Sequence, residues 1–139
     1  MKTYKSPNQE HRITFTLEGE IRFGPLFYTL SIDRRVIPDR IFGLGYVWHP
    51  ASIFIALQEW LTIDYQKGPI TALALVDIRE WKLARISKAD KGFICPLKFE
   101  SGLIVYEKRY YASGSSRAEE YEIKLADVSN WEQIANKDE

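Results

Sequence analysis

His11, His49 and Cys95 have the widest chemical repertoire of any side chains in this chain of 139 residues, and they lie far apart in the sequence. A zinc site is built from clustered Cys, His and carboxylate ligands. Two histidines and one cysteine supply no such spacing. His49 precedes Pro50 and reads as a residue at the entry to a helix. Cys95 lies in the apolar run Phe93-Ile94-Cys95-Pro96-Leu97, where a thiol packs as a small hydrophobe. A nucleophilic cysteine needs a base in reach and a lowered pKa, and no neighbour in this run supplies either. The sequence therefore predicts no metal, no cofactor and no catalytic residue.

Phosphate and nucleophile motifs are missing as well. There is no G-x-S-x-G turn, and Gly43-Leu44-Gly45 lacks the third glycine of a dinucleotide fingerprint. Two pairs of carboxylates stand out, Glu18 with Glu20 and Glu59 with Asp64. Acid–base work needs two carboxyls converging in a cleft with separated pKa values. Glu59 and Asp64 are five residues apart and point to different sides of the helix expected there, so both pairs read as exposed charges.

The segment Tyr106-Glu107-Lys108-Arg109-Tyr110-Tyr111 interleaves rings with charges. On a strand, Tyr106, Lys108 and Tyr110 share a face, which is the arrangement of a stacking platform for single-stranded nucleic acid. The facing strand carries Glu119, Glu120 and Glu122, and cross-strand pairing accounts for the same charges without a ligand. Tyrosines and tryptophans are enriched at interface centres. Tyr106, Lys108, Tyr110, Tyr111, Glu119, Glu120 and Glu122 are accordingly the predicted partner-binding surface.

The elements that position these residues follow from periodicity. Along Ser52–Gln66, the apolar residues Ile53, Phe54, Leu57, Trp60, Leu61 and Tyr65 form a stripe at the helical period, and Lys67-Gly68-Pro69 supplies stop signals. This predicts one main amphipathic helix. Residues 12–18, 20–23, 26–33 and 41–49 alternate as strands broken by Gly19 and Gly24-Pro25. Gly43 and Gly45 within the last of them mark a bend or a close approach. Ile70–Ile78 is apolar at almost every position, so periodicity leaves strand and helix open; its length leans to a central strand. Residues 80–86, 93–99, 103–111 and 119–128 complete the strands, with Pro96 marking an edge or a bulge.

Length matches a single domain spanning 1–139, with 1–11 as a loose arm and 136–139 as a disordered tail. An apolar fraction of 45% with 14% aromatics excludes a disordered chain. Nineteen basic residues balance nineteen acidic ones, which argues against a dedicated nucleic-acid binder. The balance is uneven: residues 117–139 hold three basic and seven acidic side chains, net −4. One cysteine leaves no internal disulfide, and there is no leader or long apolar run, so a cytoplasmic protein without membrane attachment is expected.

An aromatic-rich chain without a catalytic set, ending in the acidic strand EEYEIKLADV, resembles the small bacterial immunity proteins of contact-dependent and polymorphic toxin systems. That resemblance implies a cytoplasmic, non-enzymatic inhibitor that binds one cognate protein toxin and covers its active site. The expected fold class is α+β, a curved antiparallel sheet of about six to eight strands with the one main helix packed on it. Two other functions fit the same sequence. One is a small-molecule binding domain or enzyme with a pocket between helix and sheet, lined by Tyr46, Trp48, His49 or Glu59. The other is single-stranded nucleic-acid binding.

Overall fold

The computed structural model of the chain describes residues 1–22, 24–112 and 114–136. Eleven strands account for most of them. The first seven are β1 (Lys2–Lys5), β2 (Arg12–Glu20), β3 (Leu26–Ile32), β4 (Arg35–Trp48), β5 (Phe54–Trp60), β6 (Ile70–Asp77) and β7 (Lys82–Asp90). Then follow β8 (Phe93–Glu100), β9 (Leu103–Ala112), β10 (Ser115–Lys124) and the short β11 (Glu132–Gln133). β1 to β7 pair in sequence order, β11 adds to the β7 edge, and β8, β9 and β10 form a second sheet of three strands. All pairings are antiparallel.

The α+β expectation is overturned. Among the described residues there is no α-helix, only the single 3-10 turns Tyr65–Lys67 and Leu125–Asp127. The segment expected as the helix Ser52–Gln66 contains β5 instead, with Phe54–Trp60 paired to β4 and β6. The physical reason is burial on both faces. Ile55 and Leu57 enter one core with Ile13, Phe15, Leu30, Phe42, Val76 and Leu83. Phe54 and Ala56 enter another with Leu73, Leu75, Ala84, Ile94 and Ile104. A strand sandwiched this way is apolar at nearly every position, and such a run contains a helical stripe by default. Local helix formers (Ala56, Leu57, Gln58, Glu59) yield to that packing, because each fully buried large side chain contributes about 1.5–3 kcal/mol, above any propensity difference.

The same layering settles Ile70–Asp77. β6 is the middle strand of the layered region, buried continuously from Thr71 to Val76. The three-stranded sheet lies on one side of β5–β7, and the first core lies on the other. β8 is the edge of its sheet, and its register with β9 slips between Pro96 and Lys98, where the missing N–H cannot continue the ladder.

Local turns explain the joins. Asp33 and Arg34 both have positive φ, 51° and 68°, as a two-residue hairpin turn requires. That turn starts β4 at Arg35, within the loop expected at 34–40. Lys2–Lys5, expected within a loose arm, pairs with Arg12–Phe15 as an edge strand. The link between them is fastened by His11 Nδ1 to Asp33 Oδ2 at 2.6 Å. Of the expected tail 136–139, Asn136 accepts a hydrogen bond from Arg35 Nη2 at 2.9 Å, and 137–139 lie outside the described residues. Among the described residues, no helix is long and apolar enough to cross a membrane.

Candidate binding surface

The β9–β10 hairpin carries all seven residues singled out by sequence, and its register sorts them onto two faces. Tyr106 stands opposite Tyr121, Lys108 opposite Glu119 and Tyr110 opposite Arg117. Since side chains alternate along a strand, Tyr106, Lys108, Tyr110 and Glu119 share one face. Tyr111, Glu120 and Glu122 share the other.

The first face is largely committed to structure. Tyr106 is buried in the core between the sheets, with Ile94 and Ile104. Its ring stacks on Tyr121 with centroids 5.5 Å apart and planes at 18°. Lys108 does not ion-pair with Glu119 opposite; its Nζ stands 4.9 Å over the Tyr121 ring. Glu119 instead accepts the Tyr121 hydroxyl at 2.9 Å, which, as the largest cause, raises that phenol's pKa. Arg117 covers the Tyr110 ring at 4.7 Å. Tyr110 rests on Gly92, where a Cβ would meet its ring at 2.7 Å. The Tyr106–Lys108–Tyr110 row that suggested a nucleic-acid platform is thus a ladder of internal ring and cation contacts.

The second face is open around Tyr111, Glu120 and Glu122, although Val105 on the same face is buried. Tyr111 is 62% exposed. Glu120 stands directly across from Glu107. Glu107 has Arg109 of its own strand as ion-pair partner, whereas among the described residues Glu120 and Glu122 form no ion pair. Like charges held opposite each other on a sheet disfavour folding. β10 is also an edge strand, with its outer side unpaired among the described residues.

Sequence reasoning missed a second polar centre. Glu59, expected on the polar side of a helix, is 2% exposed on β5 and lies between two arginines. Arg85 donates from Nε to Oε1 at 3.0 Å and from Nη2 to Oε2 at 2.8 Å. Arg40 Nη1 reaches both oxygens, at 3.2 and 3.0 Å, and its Nη2 lies 3.5 Å from Glu132. The bond to Glu59 pushes the Arg85 pKa further up. These four contacts occupy the carboxylate's acceptor positions, and Glu59, Arg40 and Arg85 together line a cleft at the edge of the first core. The signal available in sequence was opposite charge on apolar strand faces: Arg85 in register with Trp81 and Leu83, Glu59 with Ile55 and Leu57.

The pocket expected between helix and sheet falls with the helix. Tyr46 and Trp48 pack on the first core, and His49 stacks edge-on with Phe54 and Phe99 at 5.9 and 5.3 Å. Cys95 is half-buried, and desolvation is the main cause that raises its thiol pKa, the reverse of what activates a nucleophile. No protein-family model, curated protein or solved structure matches the chain.

Proposed function

We propose that this chain is a non-enzymatic, protein-binding inhibitor of the bacterial immunity type, acting in the cytoplasm on a cognate protein toxin through the open face of the β9–β10 hairpin. One observation carries the reading: Glu120 is held opposite Glu107, beside Glu122 and the exposed ring of Tyr111. Glu107 is paired with Arg109, so the exposed carboxylates of Glu120 and Glu122, next to an aromatic anchor, are the groups this face offers to a cationic partner surface. Carboxylates steer the encounter, and the Tyr111 ring, covered when the partner binds, sets the off-rate. The unpaired edge of β10 offers backbone groups to the same partner.

The test is affinity capture from the source lysate with the intact protein as bait, followed by binding and toxicity assays on the captured protein. The expected result is one stoichiometric protein that inhibits growth when produced alone and is neutralised by this chain. Tyr111→Ala with Glu120→Lys should weaken that complex by at least about 2 kcal/mol, the usual hot-spot threshold. A captured toxin whose affinity ignores both changes places the surface elsewhere. A captured protein with no toxicity removes the immunity reading.

A further inference from the structure

β1 is an edge of the larger sheet and β10 an edge of the smaller one, and among the described residues neither has a strand on its outer side. Natural edges are blunted by a bulge, a proline or a very short strand. β10 has none of these: it runs ten residues, contains no proline and pairs with β9 without a slip in register. β1 is short, and its charged residues are Lys2 and Lys5.

One hydrogen bond fixes the backbone direction on each edge. Ser6 N–H donates to the His11 carbonyl at 2.9 Å. Continued along the register, Tyr4 also bonds to β2, while Thr3 and Lys5 turn their N–H and C=O groups outward. Leu125 N–H donates to the Gly102 carbonyl at 2.9 Å. By the same alternation Tyr121 and Ile123 bond to β9, while Glu120 and Glu122 turn theirs outward. An antiparallel pair makes its bonds between outward-facing residues. β1 of one copy laid on β10 of another can therefore match Lys5 with Glu120 and Thr3 with Glu122, with Tyr4 opposite Tyr121 between them.

The side chains suit that register. Tyr4 and Tyr121 are 38% and 37% exposed. Each already rests on rings of its own copy, Tyr4 on Tyr46 at 5.4 Å and Tyr121 on Tyr106 at 5.5 Å. They would meet at a non-hydrogen-bonded position, where facing side chains come closest. The charge of Glu120 acts on Lys98, but the Lys98 ammonium is bonded to Glu100 at 3.0 Å, which leaves Glu120 able to take Lys5. Two β1 strands in full antiparallel overlap would instead set Lys2 against Lys5 twice, and like charges there repel.

We propose that this chain associates head to tail with a second copy of itself, β1 of one adding antiparallel to the free edge of β10 of the other. The contact is heterologous and joins the larger sheet of one copy to the smaller sheet of the next. The inference does not depend on the inhibitor reading. Because it uses Glu120 and the β10 edge, a second copy and a partner bound there exclude each other.

The experiment is sedimentation velocity on the intact protein from micromolar to millimolar concentration, where association should grow with concentration. Lys5→Glu and Glu120→Lys should each raise the self-association Kd about tenfold, since each sets like charges across the junction. Mixing the two variants should restore association, because every junction between unlike copies then carries opposite charges. As a second measurement, Tyr4→Cys in one chain and Tyr121→Cys in another, both with Cys95→Ser, should form the mixed disulfide in preference to either symmetric one. A chain that stays monomeric throughout, association that ignores both charge reversals, no gain on mixing, or statistical cross-linking would overturn the proposal.

Discussion

Arg85 on β7 reaches past β6 to hold Glu59 on β5 through two hydrogen bonds, Nε to Oε1 at 3.0 Å and Nη2 to Oε2 at 2.8 Å. The contact spans the middle strand of the layered region, whose Ala72 and Ala74 carry side chains small enough to be passed over. Taking one partner from a buried ion pair leaves the other uncompensated. Arg85→Ala leaves the Glu59 carboxylate, 2% exposed, with two of its hydrogen bonds unmade, and should destabilise the fold by about 3 kcal/mol even with Arg40 still in place. Glu59→Gln leaves arginines that are 21% and 46% exposed, so solvent screens what remains and the cost should be only about 1 kcal/mol. Urea denaturation of both single variants and the double gives the coupling directly. Equal costs for the two would contradict the burial argument.

Gly43 sits where β4 crosses the Gln58 side chain. A Cβ there would collide with Gln58 Oε1 and fall 3.0 Å from Trp60 Nε1. Gln58 is not free to swing away, since its Nε2 donates to the Ile94 carbonyl at 2.9 Å and its Oε1 accepts from Trp60. Gly43→Ala should cost about 1–3 kcal/mol through overpacking and lost hydrogen bonds. Amide exchange should show β8 losing protection ahead of β6, because Gln58 ties β8 to the larger sheet alongside Thr71, whose Oγ1 accepts the Ile94 N–H at 2.8 Å. Uniform loss of protection would place the damage in the larger sheet.

Cys95 gives a pH prediction. Burial raises its thiol pKa in the fold, with Arg109 opposing and Glu107 adding to the rise. The folded state therefore favours the neutral thiol. Its contribution to stability is complete below the ordinary cysteine pKa of about 8.5 and is lost as pH rises through the higher folded value. Alkylation of the native protein should follow a titration curve displaced to higher pH than that of free cysteine. Cys95→Ser should flatten the decline in stability on that alkaline limb. A rate curve at or below that of the free thiol would rule out the desolvated environment.

Glu120→Lys separates folding from binding. Glu107 already pairs with Arg109, and the charge of Glu120 acts on Lys98, so on this exposed face the exchange should leave stability within about 0.5 kcal/mol. Affinity for a cationic partner should fall. A fall in affinity by partner titration with little change in thermal unfolding is the signature of a residue used for binding. A large loss of stability would make Glu120 structural instead.

Alternation along the chain was enough to place the strands around Ile13 and Phe15, to expect a hairpin over 103–128 (its second strand in fact runs Ser115–Lys124), and to put Tyr106, Lys108 and Tyr110 on one face, because a period of two survives in any strand with unequal sides. Pro96 marked an edge for the equally local reason that it has no N–H to give. Nothing local decided the state of Phe54–Trp60. Its helical stripe is what remains when both faces of a strand are apolar, and only the arrival of the second sheet over Ala56 and Leu73 makes both faces inside. The site divides the same way. Residue types named the hairpin, but register split Tyr111, Glu120 and Glu122 from Tyr106 and Lys108, and packing then buried Tyr106 and left Tyr111 exposed. Glu59 and Arg85 are 26 residues apart in the chain; they meet because three strands fold side by side, and no spacing in the sequence encodes that meeting.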